Sequence, residues 1–270
     1  MIIITGASSG LGKALALQAA QRSSNVVMIA RNNDELKKTA DQIRQNGGVA
    51  YYYSFDLHQN AQIKQLYEKI RKDIPFSPTI LINNAGYSAA GFVSNTPVEI
   101  YENNFRVNLF APIALIQCVI PEMIKQKHGT IVNIMGSAMY HSFPGTSSYS
   151  ASKSALKAVH ESLKIELSGL PIRLLSINPG AFRSNYVKNI QASQRLKDFT
   201  YSEDLSLPIP DGIVTKIFEA IEKDKSELNL SSLSTRIGYH LSYWMPKFLE
   251  RILIKRNQEL ISKRSFDREI

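Results

Sequence analysis

Short apolar runs that alternate with stretches of helical periodicity constrain the fold more than any other feature. The runs are four to six residues long and rich in Val and Ile: Ile2–Thr5, Asn25–Ala30, Ala50–Phe55, Thr79–Ile82, Thr130–Ile134 and Ile172–Ile177. Strands that are buried on both faces of a parallel sheet have this pattern. Strands that alternate with helices are joined by right-handed crossovers. The sequence therefore predicts an α/β fold of three layers around a doubly wound parallel sheet of about seven strands.

Apolar residues at helical spacing predict the helices between these strands. They are expected over Leu11–Arg22, Asn33–Gln45, Ala61–Lys72, about 97–126, Ser148–Ser168 and Pro210–Asp224. Thr96–Glu99 has the pattern of a capping box, with Pro97 at the first helical position, and the long helix after it is expected to break near Asn103–Asn104 and Pro112. Residues 184–208 are polar and irregular, which indicates a loop or lid. We expect one domain over residues 1–230 and a C-terminal arm over 231–270.

The composition excludes several classes of protein. Apolar residues make up 44% of the chain, which excludes a wholly disordered protein. The single cysteine, Cys118, excludes a disulfide framework and a Cys-only metal site, and the five histidines have no metal-ligand spacing. The net charge of +9 leaves nucleic acid, an anionic membrane and a phosphorylated cofactor open as partners.

A glycine-rich turn, Thr5–Gly12, lies directly between the first strand and the first helix. Glycine permits a tight turn and a close approach of the backbone to a pyrophosphate, and a helix N-terminus offers free N–H groups to phosphates. The spacing G-x-x-x-G-x-G therefore indicates a nucleotide site. A purely structural turn is the alternative.

Further motifs follow in a fixed order along the chain: Asp56, Asn83-Asn84-Ala85-Gly86, Asn108, Ser137, Tyr149-x-x-x-Lys153 and Asn178-Pro179-Gly180. Together with Thr5–Gly12, they make the chain resemble the short-chain dehydrogenase/reductase family in its single-domain form, over about residues 1–230. The resemblance implies a Rossmann-type fold, a nicotinamide cofactor, and hydride transfer between a carbonyl compound and an alcohol. It also implies a homodimer or homotetramer.

The resemblance implies a cofactor site made of residues that follow the strands. They are Gly6, Ser8, Ser9, Gly10, Leu11, Gly12, Arg31, Asp56, Leu57, Asn83, Ala85, Gly86, Tyr149, Lys153, Pro179, Gly180, Phe182 and Ser184. In this family the residue at Asp56 binds the adenine, although a helix cap is the alternative role for it. A hydroxyl at Ser184 would contact the nicotinamide carboxamide.

Arg31 distinguishes between the two nicotinamide cofactors. NAD sites of this type place an Asp or Glu at the end of the second strand to hold the ribose 2′-OH, but this strand ends Met28-Ile29-Ala30-Arg31. A guanidinium suits a 2′-phosphate. The sequence therefore favours NADP(H) over NAD(H), although Ser9 lies where many NADP-dependent relatives have a basic residue.

Tyr149 and Lys153 are four residues apart on a predicted helix, so their side chains point to one face. A nearby ammonium favours the phenolate and lowers the pKa of a tyrosine towards neutrality. The resemblance implies that Tyr149 is the general acid, that Lys153 assists it and holds the nicotinamide ribose, that Ser137 orients the substrate oxygen, and that Asn108 supports a proton-supplying water chain.

The position of Ser137 departs from the family pattern. It lies twelve residues before Tyr149, whereas thirteen is more usual, and the ungapped match falls on Gly136. A loop that is one residue shorter would restore Ser137 to its role. Ser142, Ser147 and Ser148 are the alternative hydroxyls.

The substrate is expected to be partly apolar and to bind at Ser137, Tyr140, Phe143, Tyr149 and Tyr186. Apolar residues recur at helical spacing from Leu241 to Leu253, with Pro246 at a helix start, and four cations lie among or just after them: Lys247, Arg251, Lys255 and Arg256. Residues 241–256 would either pack on the domain or a partner subunit, as apolar stripes usually do, or lie on a membrane.

Two other functions remain open. A non-catalytic NADP(H)-binding regulator would tend to lose the tyrosine or the lysine, and both are present. A nucleic-acid binder would need a recognised module or a basic cluster with stacking aromatics, so no nucleic-acid partner is expected.

Residues 1–5 have no features of a signal peptide, and no apolar run of about 18 residues predicts a membrane span. A cytoplasmic protein is therefore expected.

Overall fold

The computed structural model describes residues 1–22, 24–140, 142–182 and 210–258. Seven strands lie in this part of the chain: β1 (Ile2–Thr5), β2 (Val26–Ala30), β3 (Ala50–Ser54), β4 (Ile80–Asn83), β5 (Gly129–Ile134), β6 (Ile172–Asn178) and β7 (Glu227–Asn229). They form a single sheet in the order β3-β2-β1-β4-β5-β6-β7, and all six pairings are parallel. The predicted doubly wound parallel sheet is confirmed. Its strand order reverses between β1 and β4, which is where such folds bind their ligands.

The described helices connect or follow these strands. They are α1 (Gly10–Gln21), α2 (Asn33–Gln45), α3 (Ile63–Asp73), α4 (Val98–Phe105), α5 (Ala111–Lys125), α6 (Ser147–Glu166), α7 (Pro210–Glu222), α8 (Leu233–Trp244) and α9 (Pro246–Arg256). Short 3₁₀ turns cover Asn60–Gln62 and Ser137–Met139, and a π-helical turn covers Arg106–Phe110.

Alternate residues of each central strand enter two separate apolar layers. In β1, Ile2 and Ile4 pack with α1, α2 and α7 on one face of the sheet. Ile3 packs on the other face, with apolar residues of α3, α5 and the end of α6. The central strands are therefore buried on both faces, which explains why they are apolar throughout.

The predicted capping box at Thr96–Glu99 is wrong. Thr96 donates its hydroxyl to the carbonyl of Phe92, 2.8 Å away, so it belongs to the preceding turn. Pro97 is the cap residue and the helix begins at Val98. The helix does change its winding near the predicted break, because the π-helical turn lies between α4 and α5.

The continuous helical stretch Val98–Lys125 has the length and hydropathy of a membrane span. Half of its most apolar window is nevertheless buried inside the domain, and Leu115, Val119 and Met123 belong to the layer beneath the sheet. A core helix meets the same criteria, so the stretch is accounted for by packing.

Candidate active site

The turn after β1 is held against the segment that follows β4. The buried Thr5 hydroxyl accepts hydrogen bonds from the backbone amides of Asn84 and Ala85, each at 3.0 Å, and the Asn84 side chain donates to the Thr5 carbonyl at 2.9 Å. Gly6 donates its amide to Ile29 in β2 at 2.8 Å. Three adjacent strands thus fix the glycine turn at the point where the strand order reverses.

Two glycines of this turn have no room for a side chain. A Cβ at Gly12 would lie 2.2 Å from the Gly6 carbonyl oxygen, and a Cβ at Gly6 would lie 2.9 Å from the Ala85 Cα. Gly6 also has a φ of +67°, in the left-handed region that favours glycine. The backbone of the turn therefore packs directly on the β4 loop.

The N-terminus of α1 is open to an anion. Ser9 is its cap residue, but the Ser9 side chain makes no capping hydrogen bond, and the first turn contains no acidic residue. Its first amides consequently have no partner within the helix, and they carry the positive end of the helix dipole. Ser8, Gly10 and Leu11 lie in the same turn.

Arg31 lies exposed at the end of β2 and forms no ion pair within the described residues, so its guanidinium is available to a bound anion. Asp56, after β3, accepts hydrogen bonds from the backbone and the ring of His58 at 3.1 and 2.8 Å. Burial alone would raise the pKa of the Asp56 carboxyl, but the His58 bonds and the nearby Arg31 charge lower it overall. Asp56 therefore caps its own turn rather than the helix near Asn60, and the adjoining Leu57 is buried.

The predicted cofactor residue Asn83 directs its side chain into the sheet. Its Nδ2 donates to the Asn133 Oδ1 at 2.9 Å, and the Asn133 amide in turn contacts the Nδ1 of His160 at 3.0 Å. Burial lowers the pKa of His160 to about 4, so this ring is neutral around pH 7. These hydrogen bonds link β4, β5 and α6. They leave the Asn83 backbone, Ala85 and Gly86 at the edge of the site.

Asn108 is the centre of a second buried network, inside the π-helical turn. Its Oδ1 accepts from the Tyr87 amide at 2.9 Å, and its Nδ2 donates to the Tyr87 carbonyl at 2.8 Å and to the Ser152 hydroxyl at 2.9 Å. Ser152 is on α6, between Tyr149 and Lys153. Asn108 therefore locks the helix that carries these two residues to the β4 loop.

Lys153 is buried next to Tyr149. Its Nζ donates to the Ile134 carbonyl at 2.9 Å and lies 5.9 Å from the centre of the Tyr149 ring. No carboxylate pairs with Lys153 in the described part of the chain, and burial lowers its pKa to about 8. A buried ammonium of this kind stabilises a neighbouring phenolate and can exchange its proton near neutral pH.

Gly136 lies against the Tyr149 hydroxyl. A Cβ at Gly136 would be 3.2 Å from the Tyr149 Oη, and the φ of Gly136 is +114°. The Ser137 hydroxyl lies 3.3 Å from both the Oδ1 and the Nδ2 of Asn178, at the end of β6. The alternative hydroxyl of Ser148 is buried against Asn104.

The Asn178-Pro179-Gly180 segment closes the far side of the site. Asn178 accepts from the Gly180 amide at 3.1 Å, and Gly180, with a φ of +70°, lies against the Leu230 carbonyl. Pro179 is buried and Phe182 packs against the core layer that contains α1. Ser184 and Tyr186 lie outside the described residues.

Two predicted substrate residues lie on the loop after β5. The Tyr140 hydroxyl donates to Glu227 at 3.1 Å and accepts from Asn229 at 3.2 Å, so this hydroxyl is held by the β7 strand. Phe143 lies between Ser142 and Pro144, which line a cavity of about 250 Å³ whose opposite wall is α9. The apolar part of that wall comes from Pro246, Leu249, Leu253 and Ile254.

Sequence reasoning missed the polar residues that support the site from neighbouring helices. Asn104 is buried and donates to Ser148 at 3.2 Å, and Ser152 bonds to Asn108. The partners in each pair are 44 residues apart, so spacing along the chain carries no signal for them. Polar residues on the inner face of a predicted helix were the only available hint.

Comparison with known proteins gives consistent matches. Residues 1–195 match the family described as short chain dehydrogenase. A dehydrogenase/reductase SDR family protein 7-like from Anopheles gambiae is 30% identical over 270 residues, with 97% of this chain and 84% of that protein covered. A 3-oxoacyl-(acyl-carrier-protein) reductase from Buchnera aphidicola is 31% identical over 195 residues, covering 72% of this chain and 78% of that protein.

Solved structures share the fold at lower identity. A short-chain dehydrogenase from Streptomyces avermitilis has a TM-score of 0.79 and 24% identity, covering 98% of this chain and 97% of its own. One from Sphingobium yanoikuyae in complex with NADPH has a TM-score of 0.73 and 24% identity, covering 98% and 96%. One from Burkholderia phymatum in complex with NAD has a TM-score of 0.76 and 21% identity, covering 100% and 96%.

Proposed function

This chain belongs to the short-chain dehydrogenase family, and from that membership we propose that it is an NADP(H)-dependent oxidoreductase that interconverts a ketone or aldehyde and an alcohol. The family supports an NAD(P)-dependent dehydrogenase or reductase. The reaction, the cofactor preference and the residue roles are the parts that we propose.

One observation carries the proposal: the buried Lys153 ammonium has no acidic partner among the residues that the structure describes, and it lies beside the Tyr149 ring. An unpaired buried charge is costly to a fold, and such groups occur where chemistry requires them. A phenol next to this ammonium can give a proton to a carbonyl oxygen, and the phenolate that remains is stabilised by the ammonium. Lys153, with its lowered pKa, then returns the proton.

The residues around the glycine turn fit a nicotinamide dinucleotide. The turn is held against the β4 loop by close backbone packing at Gly6 and Gly12, and no side-chain cap pairs with the amides at the start of α1. When bound there, the cofactor supplies or accepts the hydride. Ser137 would orient the substrate oxygen, with its own hydroxyl positioned by Asn178.

Arg31 supports the preference for NADP(H). Its guanidinium is exposed, free of ion pairs in the described ranges, and adjacent to the Asp56 turn. A 2′-phosphate would give this fork of donors a bidentate partner. We expect Arg31→Asp to weaken NADPH binding far more than NADH binding, as measured by fluorescence titration.

A partly apolar substrate is supported by the cavity between the Ser142–Pro144 loop and α9. Four apolar residues of α9 line its outer wall, and Ser142 and Pro144, on the loop before α6, line its inner wall. A ketone with a hydrocarbon tail could bury that tail there while its oxygen is directed to Tyr149.

The decisive experiment measures NADPH oxidation by the purified protein with a panel of aliphatic and aromatic ketones and aldehydes. Tyr149→Phe should abolish turnover without loss of NADPH binding. Tyr53→Phe removes a hydroxyl from β3, far from Tyr149, and should retain full activity. If Tyr149→Phe turned over as fast as the parent protein, the proposal would be wrong, and a non-catalytic NADP(H)-binding regulator would be the remaining function. We further propose that the protein acts in the cytoplasm.

A further inference from the structure

The two C-terminal helices, α8 and α9, carry an unusual amount of exposed apolar surface. Together they supply eight of the sixteen large apolar side chains that are exposed in the described residues: Leu233, Ile237, Tyr243, Trp244, Met245, Phe248, Ile252 and Ile254. No residue of α8 is buried, and Leu249 is the one buried residue of α9. An exposed apolar concentration of this size marks a binding surface.

The exposed residues form continuous stripes. Leu233, Ile237 and Trp244 recur at helical spacing along one side of α8, and Phe248 and Ile252 do so on α9. The corner between the helices presents Tyr243 and Trp244, each 76% exposed, with their rings 5.3 Å apart. Tyrosine and tryptophan are enriched where one end of a side chain is apolar and the other is wet.

Cations surround this apolar surface. Arg236, Lys247, Arg251, Lys255 and Arg256 are all exposed, and Glu250 is the one acidic residue between Leu233 and Arg256. None of these five cations forms an ion pair within the described residues. Their charges are therefore left for a partner of opposite sign.

The helix pair is nevertheless anchored to the site-bearing domain. The Tyr239 ring of α8 lies 4.3 Å from the Tyr140 ring, and Leu249 and Leu253 of α9 line the cavity opposite Ser142 and Pro144. These contacts use the inward sides of the helices. A partner on the outer surface would lie close to the mouth of the proposed substrate cavity.

We propose that the outer surface of α8 and α9 docks on an anionic lipid bilayer, with the apolar stripes inserted at the headgroup boundary and the cations against lipid phosphates. Helices that lie in a membrane interface combine an aromatic and aliphatic face with flanking Lys and Arg. A second copy of the chain is disfavoured as the occupant. A two-fold contact would place this cationic surface against itself, with Glu250 as the one acidic residue to oppose its five cations.

Trp244 makes the proposal directly measurable, because it is the one tryptophan in the 270 residues. Its fluorescence would be recorded with vesicles of phosphatidylcholine alone and with vesicles that also contain phosphatidylserine. We expect a shift to shorter wavelength and co-flotation with the mixed vesicles, both reduced at high salt. The proposal would be overturned if Trp244 emission and flotation were the same with mixed vesicles as with no vesicles.

Paired variants separate charge from insertion. Lys247→Glu with Arg251→Glu should weaken binding to mixed vesicles by at least about twentyfold, since each cation near an anionic surface contributes about fivefold. Lys64→Glu with Lys72→Glu changes the same charge on the exposed side of α3 and should weaken binding much less. Equal losses in the two variants would overturn the docking surface.

Leu233→Ser with Ile237→Ser should abolish the wavelength shift, whereas Val93→Ser with Val98→Ser, two residues that are 70% and 73% exposed elsewhere, should leave it unchanged. Circular dichroism and NADPH binding would establish that each variant is folded. If the Leu233/Ile237 variant instead dissociated a stable dimer in sedimentation while vesicle binding was absent throughout, the surface would be a contact between copies and the proposal would be wrong. The test does not depend on turnover, so it is independent of the proposed reaction.

Discussion

At the carboxyl edge of the sheet, polar side chains are buried and bonded to one another, whereas in the C-terminal helix pair apolar side chains are exposed. Asn104, Asn108, Ser148 and Ser152 have almost no exposed surface, and each has a hydrogen-bond partner. Leu233, Ile237 and Trp244 are at least half exposed. A buried network fixes geometry to within a fraction of an ångström, as a proton transfer requires. An exposed apolar surface does not hold any other part of the chain in place, and it is suited to binding an external partner.

This contrast between the two regions predicts that substitutions in them change different properties of the protein. At the sheet edge they should alter turnover, cofactor affinity or stability. On the exposed side of the helix pair, away from the residues that line the cavity, they should leave these quantities unchanged and alter association.

The largest effect is expected for Lys153→Met. It should lower carbonyl reduction by about 10²–10⁴-fold, the range of an acid–base contribution. The same substitution should stabilise the cofactor-free protein, because it removes a buried ammonium whose pKa is lowered from 10.5 to about 8. A shift of that size corresponds to about 3 kcal/mol.

The pH dependence provides an internal check on Lys153. Below pH 8 both the folded and unfolded states are protonated, so the destabilisation is constant. Between about pH 8 and 10.5 the unfolded state binds more protons, so the parent protein becomes more stable as pH rises. Urea unfolding at pH 7 and pH 10 should show this rise in the parent and in Lys164→Met, on the exposed side of the same helix, and not in Lys153→Met. A rise of equal size in Lys153→Met would contradict the assignment.

The next effect in size concerns Ser137. Ser137→Ala should reduce kcat by about a hundredfold, the cost of removing one donor to a reacting oxygen. The exposed Ser142→Ala should retain activity. If Ser142→Ala or Ser147→Ala caused the loss while Ser137→Ala did not, the orienting hydroxyl would be that residue, and the hydrogen bonds between Ser137 and Asn178 would be structural.

Ser137 shows which features of the structure can be predicted from the sequence and which cannot. The apolar runs predicted six of the seven strands to within about two residues, because a strand buried on both faces has little choice of residue. The seventh strand, Glu227–Asn229, was not located, since it is a three-residue edge strand of mixed polarity. Motif order predicted that Ser137, Tyr149 and Lys153 share one edge of the sheet, but the contact of Gly136 with the Tyr149 hydroxyl depends on loop geometry that spacing does not give.

The side-chain directions behind the motifs also required the fold. Asn83 belongs to a motif typical of a cofactor site, yet its amide bonds to Asn133 across the strand pair. Thr96 has the residue type and spacing of an N-cap, yet its hydroxyl donates to the carbonyl of Phe92, four residues earlier. In both cases the competing partner is supplied by the local turn or a neighbouring strand, which a spacing rule does not contain.

A smaller effect is expected for Gly12→Ala, which tests the glycine turn alone. The added Cβ would meet the Gly6 carbonyl and the Asn84 amide, both fixed by the turn, so we expect a loss of about 1–3 kcal/mol in unfolding free energy and much weaker NADPH binding. Gly212→Ala is the matched control, because its Cβ would meet nothing within 4 Å on α7. That variant should be neutral or slightly stabilising, since alanine favours the helix. Equal losses in both variants would show that the crowding at Gly12 is not the cause.

The smallest effect should come from the helix pair, and it bears most directly on the contrast between the two regions. Ile237→Ser and Trp244→Ser are each expected to change the unfolding free energy by no more than about 0.5 kcal/mol, because neither side chain leaves a cavity when shortened. Leu15→Ala, in the fully buried layer beside the sheet, should cost about 2–5 kcal/mol. Urea unfolding without lipid measures all three. A loss above about 2 kcal/mol for Ile237→Ser would mean that the exposed stripe is part of the folded core after all. The apolar surface would then serve stability rather than a partner.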